Sequence, residues 1–165
     1  MKLNVATELK LPGREGHAVL CERIEDIEYP GRWIRFADDV TVEINYVFDG
    51  SGFETSGSVK TALKGECARC AKELTVPFAH EFEKNAPEDG DAYPFSGEEL
   101  DLSDLVRDTI LLNMENYVLC KDDCRGLCPV CGCDLNTVQC SCEQEAEDDN
   151  PFAKLKALFN EDKEV

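Results

Sequence analysis

Apolar and polar residues alternate along the segment 40–48, which is the pattern of a β-strand with one buried face. The apolar face carries Val40, Val42, Ile44, Tyr46 and Phe48. The next four residues, DGSG, form a strong turn signal. The chain from Phe53 onward is therefore predicted to pair back on this strand as a hairpin.

A second alternating segment covers 73–82 and is predicted to be another strand. Its apolar face carries Leu74, Val76, Phe78 and Phe82. Pro77 favours a place at a sheet edge or a bulge. The segments 3–11 and 17–27 are weaker strand candidates. Together these segments predict an antiparallel sheet of about five strands, close to the usual sheet size.

The pattern changes to a helical period after residue 101. Ser103 is predicted to be the N-cap of a helix, with Asp104 in its first turn. The apolar stripe of this helix comprises Leu105, Val106, Thr109, Ile110, Leu112 and Met114. We expect the helix to cover the sheet and its stripe to form core.

Two acidic segments interrupt these patterns. Residues 85–101 combine acidic residues with prolines and glycines and contain no basic residue, so they are predicted to form a solvated linker or long loop. The second segment, 143–149, leads into a short amphipathic helix predicted over 150–159, with Asn150 as N-cap and Pro151 at its first position. So short a helix has to dock on its own domain or on a partner.

Composition restricts the class of function. The chain has 165 residues, of which 35 are acidic and 17 basic, for a formal net charge of −18. This charge excludes generic coating of nucleic acid, although it is compatible with a local basic patch. The sequence shows no secretory signal and no membrane-spanning stretch, so we expect a cytoplasmic protein whose thiols stay reduced.

Ten cysteines in a reduced protein indicate metal ligation rather than disulfides. The strongest motif is CPVCG at 128–132, in which two residues separate the two thiols and a glycine allows the tight turn that follows. We predict two structural Zn²⁺ sites. The first would use Cys67, Cys70, Cys120 and Cys124, and the second Cys128, Cys131, Cys140 and Cys142.

Other arrangements stay open from the sequence alone. A single site drawn from the seven C-terminal cysteines, iron in the same sulfur cage, and free thiols are the alternatives for the metal. The pair Cys67 and Cys70 is also compatible with a redox dithiol, although a strand rather than a helix follows it. Cys21 is predicted to be a buried apolar thiol. Cys133 is predicted to be a spare or alternative ligand.

Four thiolates leave no position for a water ligand, so the predicted metal sites are closed and structural. The sequence contains no phosphate-binding loop, no nucleophile elbow and no histidine with a plausible catalytic acid or nucleophile nearby in sequence. We therefore expect neither enzymatic activity nor a small-molecule substrate.

Six basic residues near the paired cysteines form the predicted partner-binding set: Lys60, Lys64, Arg69, Lys72, Lys121 and Arg125. If the two metal sites adjoin, these cations would form a footprint for RNA phosphates on an otherwise acidic protein. They would equally serve to offset the charge of thiolates and acidic neighbours. The segment 32–36, RWIRF, is compatible with base stacking or with an ordinary strand.

Four stretches, taken in order and spacing, resemble the YceD family, whose members are called large ribosomal RNA subunit accumulation proteins. They read GECARC at 65–70, LDLSDLVRDTILL at 100–112, CKDDCRGLCPVCGCDLN at 120–136 and NPFA at 150–153. The residues 113–117 and Cys133 depart from the family pattern. The resemblance implies a factor that supports synthesis, processing or stability of 23S ribosomal RNA. It also implies separate sites for the first cysteine pair and the later motif.

The overall prediction is an α+β fold in three parts. They are an antiparallel β-sheet with a covering helix over 1–116, a cysteine-rich zinc-binding module over 117–142, and an acidic linker with a short helix over 143–165. The predicted function is non-enzymatic support of the large ribosomal subunit, by binding 23S rRNA or a ribosomal protein. A zinc-stabilised protein-interaction adaptor without a ribosomal role is the alternative.

Overall fold

The computed structural model describes residues 1–87, 93 and 95–142. In this part of the chain the elements run β1 (Lys2–Asn4), α1 (Ala6–Lys10), β2 (Glu15–Glu22), β3 (Ile27–Tyr29), β4 (Arg32–Phe36), β5 (Val40–Phe48), β6 (Gly52–Glu66), β7 (Glu73–Pro87), β8 (Phe95–Ser96), β9 (Glu99–Asp101) and α2 (Ser103–Asn113). A cysteine-rich segment follows α2 and contains no further helix or strand up to residue 142. The predicted α+β class is confirmed.

The main sheet has six strands and is built around β6. The first part of β6 pairs antiparallel with β5, and its last part pairs with β4. Along its other edge β6 pairs with β7 over the full length of both strands. The antiparallel pairing of β5 with β6 confirms the predicted hairpin. In its turn, Asp49 Oδ1 accepts hydrogen bonds from the N–H groups of Ser51 and Gly52.

One face of this sheet forms the hydrophobic core. The predicted apolar face of β5 is confirmed, since Val40, Val42 and Ile44 are fully buried. The phenyl rings of Phe53 and Phe95 meet edge to face, with centroids 5.1 Å apart. Such edge-to-face pairs are favourable beyond the area they bury.

Helix α2 covers the core, as predicted, through Leu105, Val106, Thr109 and Ile110. The prediction for Leu112 is wrong, because its side chain is 77% exposed. Leu112 follows Ile110 by two residues, and two steps of about 100° each carry it to the far side of the helix. Leu112 therefore lies on the solvent side of α2.

A second, three-stranded sheet combines the N-terminus with residues that precede α2, in the order β1–β9–β8. The prediction of a loop over 85–101 is therefore wrong at both ends: β7 continues to Pro87, and β8 and β9 follow. Leu100 pairs with Leu3 of β1, which is distant in sequence, and local composition does not reveal such a partner. Residues 88–92 and 94 lie outside the described residues, as does the predicted helix over 150–159.

Three local predictions are also corrected. The N-cap of α2 is Leu102, and Ser103 is the first helical residue; Asp101 Oδ1 accepts hydrogen bonds from both the N–H and the hydroxyl of Ser103. The weak strand over 3–11 is instead β1 followed by α1. Cys21 is exposed on β2 rather than buried.

Candidate metal centre

The turn between β6 and β7 carries the first pair of cysteines. The Cys67 N–H donates to the carbonyl of Lys72 (2.8 Å), and the Ala71 N–H donates to the carbonyl of Cys67 (2.9 Å). This knuckle turns the thiols of Cys67 and Cys70 inward, where the residues are 2% and 8% exposed. The long β6–β7 hairpin thus ends in a preformed half of a four-thiol site.

The segment after α2 contributes the other half of that site, Cys120 and Cys124. The carbonyl of Val118 accepts a hydrogen bond from the N–H of Ala68 (2.9 Å), which docks the returning chain on the knuckle. The Cys67 and Cys124 sulfurs then lie 3.8 Å apart, and those of Cys70 and Cys120 lie 3.7 Å apart. We name these four residues the first cluster; their sulfurs all lie within 4.8 Å of one another.

The second cluster consists of Cys128, Cys131, Cys140 and Cys142, whose sulfurs also all lie within 4.8 Å of one another. The Cys140 sulfur is 3.5 Å from that of Cys131 and 3.4 Å from that of Cys128. A tight turn holds the CPVCG motif, since the Gly132 N–H donates to the carbonyl of Cys128 (2.9 Å). The structure therefore brings the eight predicted ligands together in the two predicted groups.

The sulfur spacings test whether a metal fits. Sulfurs 3.4–3.8 Å apart are unbonded, because a disulfide requires about 2.05 Å. Zinc–sulfur bonds of about 2.3 Å give a tetrahedron with sulfur–sulfur edges of about 3.8 Å. The spacings in both clusters are close to that edge, and four thiolates are a donor set typical of structural zinc. Both clusters can therefore hold a metal ion.

Ionisation within each cluster is uneven. In the first cluster, the N–H of Cys120 points at the Cys67 sulfur and lowers the pKa of Cys67 to about 6. Burial, together with neighbouring thiols, raises the pKa of Cys120 to about 12. In the second cluster the pKa of Cys131 is lowered to about 6 by the N–H of Cys133, and the hydrogen bond to Cys140 raises that of Cys142 to about 12. Adjacent thiolates repel one another, and a bound cation removes this conflict.

Asn136 connects the two clusters, a role that the spacing of the cysteines did not predict. Its side-chain N–H donates to the Cys124 sulfur (3.4 Å), while its Oδ1 accepts from the N–H of Arg125 (2.9 Å). Asn136 lies in the loop between the cysteine pairs of the second cluster. This residue therefore orients a ligand of the first cluster from the loop of the second.

Gly126 lets the two loops approach closely. Its φ of +76° lies in the left-handed region, and a Cβ at this position would lie 2.9 Å from the carbonyl oxygen of Arg69. The neighbouring Leu127 N–H donates to that same carbonyl (3.1 Å). The chain between the clusters thus packs directly against the first knuckle, and a side chain at Gly126 would separate them.

We expect Asn136→Ala to weaken metal binding by the first cluster about 10–100-fold, because partners that orient metal ligands typically have effects of this size. Thr137→Ala is the matched control, since the neighbouring Thr137 hydroxyl donates to the carbonyl of Asp134 (3.1 Å) and not to a sulfur. Competition with a chelator, monitored by mass spectrometry, measures the change in metal affinity. Equal affinities for the two variants would show that Asn136 does not support the cluster.

The six predicted partner-binding cations are all exposed, and the structure brings part of the set together. Hydrogen bonds from Asn136 lower the pKa of Asp134, and the charges of Lys121 and Lys72 lower it further, which places both lysines near one carboxylate. Arg69 holds the first cluster, because its guanidinium donates to the carbonyl of Cys124 (2.8 Å).

The other cations have different surroundings. Lys60 forms an ion pair with Glu43 on the sheet (3.6 Å). Lys64 is paired in register with Arg35 of β4, on the same face of the sheet. Arg125 donates its backbone N–H to Asn136, between the clusters. The assignment of these six cations to a partner stays a prediction.

Comparison with known proteins places these clusters in a family context. The family model described as "Large ribosomal RNA subunit accumulation protein YceD" matches residues 55–159, more than half of the chain. The chain belongs to the YceD family. The matched region includes most of β6, the whole of β7 and α2, and both clusters of this YceD protein.

Two plant proteins are similar to part of the chain. The protein named Large ribosomal RNA subunit accumulation protein YCED homolog 1, chloroplastic, of Zea mays is 34% identical over 67 residues, which is 41% of this chain and 22% of the maize protein. The Arabidopsis thaliana protein of the same name is 34% identical over 56 residues, 34% of this chain and 17% of the plant protein. The chain thus spans less than a quarter of either relative. No solved structure matches it.

The family name concerns ribosomal RNA of the large subunit, which supports a ribosome-related role in general. Within the described residues, neither helix has the length and apolar character needed to cross a membrane.

Proposed function

We propose that this YceD protein is a non-enzymatic, cytoplasmic factor that supports accumulation of 23S rRNA by binding that RNA or a large-subunit ribosomal protein. The observation that carries the proposal is the family match over 55–159, because that region contains both four-cysteine clusters. The family name supplies the ribosomal context, and the clusters supply a compact module on which a binding surface can be held.

Zinc is the metal we propose for both clusters. The proposal is supported by the all-thiolate donor sets and by sulfur spacings close to a zinc tetrahedron edge. With four thiolates around each ion, no position is left for water, so the ions would act by holding the chain. The ion of the first cluster would fix the cysteine-rich module against the β6–β7 hairpin, and the ion of the second would hold the module itself together.

The surface around the first cluster is the proposed contact. Lys72 and Lys121 lie near Asp134, and Arg125 lies between the clusters on the exposed side. A concentration of cations on a chain with net charge −18 is the local footprint that an RNA phosphate backbone would recognise. The overall negative charge equally suits a basic ribosomal protein.

A salt titration separates these partners. For direct RNA contact, Arg125→Glu should weaken binding to 23S rRNA fragments and reduce the slope of log affinity against log salt by about one unit. Lys10→Glu on α1 is the matched control, since it makes the same charge change on an exposed residue of the sheet domain, outside the cysteine-rich module. An absence of RNA binding at low salt would exclude direct RNA contact and leave the ribosomal protein as the partner.

Depletion tests the ribosomal role itself. Cells that lack the protein should accumulate less mature 23S rRNA, while small-subunit rRNA is less affected. A general protein-interaction adaptor would leave 23S rRNA and its precursors at normal levels. Normal levels after depletion would therefore contradict the proposed function whatever the protein binds.

A further inference from the structure

Cys133 supplies a fifth thiol beside the second cluster, one more than a tetrahedral ion binds. Cys133 directly follows the CPVCG motif and is half-buried, and its carbonyl accepts a hydrogen bond from the N–H of Cys128 (2.8 Å), which places it beside the thiols of Cys131 and Cys140. A structural zinc ion takes four thiolates. When Cys128, Cys131, Cys140 and Cys142 hold the ion, Cys133 remains as an uncoordinated thiol beside two of the ligands.

The two clusters differ in access. In the first cluster Cys67, Cys70 and Cys124 are buried, with exposures of 2%, 8% and 2%. In the second cluster Cys131 is exposed, and Cys140 and Cys142 are half-buried. Oxidation of cysteine follows thiolate character and exposure, so an oxidant in solution reaches the second cluster first.

We propose that Cys133 is a redox-modification site, at which peroxide converts the second cluster from a metal-bound to a disulfide-bonded form while the first cluster keeps its ion. The thiolate sulfur of Cys131 or Cys140 attacks one peroxide oxygen, the O–O bond breaks, hydroxide leaves, and the sulfur becomes a sulfenic acid. The Cys133 sulfur then attacks that sulfur, forming the S–S bond and releasing water with the thiol proton. The two sulfurs together give two electrons to one peroxide molecule.

Loss of one ligand opens the second cluster. Three thiolates remain, and the ion is expected to leave because a closed structural site depends on its full set of ligands. Reduction of the disulfide in the presence of zinc restores the original site. The inference rests on the proposed zinc occupancy of the second cluster, and it adds a regulated loss of that ion alone.

The test uses the full-length, zinc-loaded chain treated with hydrogen peroxide and followed by native mass spectrometry and disulfide mapping. The wild type should lose one ion well before the other, with a mapped disulfide that contains Cys133, and a thiol reductant with zinc should restore both ions. Cys133→Ser should start with two ions and lose the first several-fold more slowly. Cys21→Ser, which removes an exposed thiol on β2, should behave as the wild type.

Several results would overturn the inference. Loss of both ions at the same rate, or a disulfide that joins other cysteines of the cluster without Cys133, contradicts it while leaving the zinc assignment intact. Equal rates for the wild type and Cys133→Ser do the same. A chain that carries no ion in the second cluster before peroxide is added overturns the zinc assignment and this inference together.

Discussion

Cys124→Ser is expected to abolish metal binding by the first cluster and to lower the stability of the protein by several kcal/mol. Cys124 is 2% exposed, and its sulfur lies 3.8 Å from that of Cys67. The same sulfur accepts a hydrogen bond from the side-chain amide of Asn136. A serine hydroxyl does not ionise near neutral pH, so three thiolates remain. An intact structural zinc site contributes on the order of 10–16 kcal/mol to folding, and loss of a ligand removes a large part of this.

The measurement combines an ion count with local amide exchange. The variant should bind one ion, and the segment 117–136 should lose its protection while β5 and β6 keep theirs, because the sheet core does not include the first cluster. Cys21→Ser is the control and should retain two ions. A Cys124→Ser protein with two ions and unchanged exchange would show that this thiol is not a ligand.

Gly57→Ala should be among the most destabilising single methyl additions in the sheet. An alanine Cβ at this position of β6 would clash with the carbonyl oxygen of Glu43 and would lie 3.0 Å from the Cα of Ile44. Both atoms belong to the backbone of β5, so the strands must separate to admit it. Overpacking typically lowers the free energy of unfolding by about 1–3 kcal/mol. Because the clash here is with backbone atoms, we expect the loss for Gly57→Ala to be at or above the upper end of this range.

Gly65→Ala on the same strand is the matched control. Its Cβ would meet the Val118 side chain at 3.4 Å, which is ordinary contact, and Gly65 is not in the left-handed region. Replacement of glycine by alanine at a compatible position typically stabilises the folded protein by about 0.4–1 kcal/mol, because it reduces the conformational entropy of the unfolded chain. In thermal unfolding experiments, the midpoint temperature of Gly57→Ala should therefore be lower than that of the wild type, and that of Gly65→Ala should be unchanged or higher. Equal midpoints would contradict the strand geometry described here.

Local pattern was sufficient to predict the elements that carry their own periodicity. Strand β5 alternates without interruption, the DGSG turn follows it directly, and α2 has an apolar stripe, so these features were predictable. The grouping of the eight cysteines was also predictable, because short spacings of one to three residues make each pair a unit and few pairings of these units remain.

The features that sequence missed depend on distant partners. Strands β8 and β9 are too short to show a period and exist because β1, from the N-terminus, pairs with β9. Cys21 is apolar by type, yet it lies on the outward face of β2. Asn136 is an ordinary loop residue by composition and gains its role only when the loop folds onto Cys124. Each outcome is decided by tertiary contacts, which a local window does not contain.

Native mass spectrometry of the purified full-length chain, with and without a strong chelator, tests the central claim most directly. That claim is that two groups of four cysteines, the first assembled from two distant parts of the chain and the second from the segment 128–142, bind one metal ion each. The account predicts two bound zinc ions before chelation, their loss with the chelator, and loss of order in the cysteine-rich segment at the same time. A native chain that is fully folded, free of metal and has ten freely titratable thiols would contradict it.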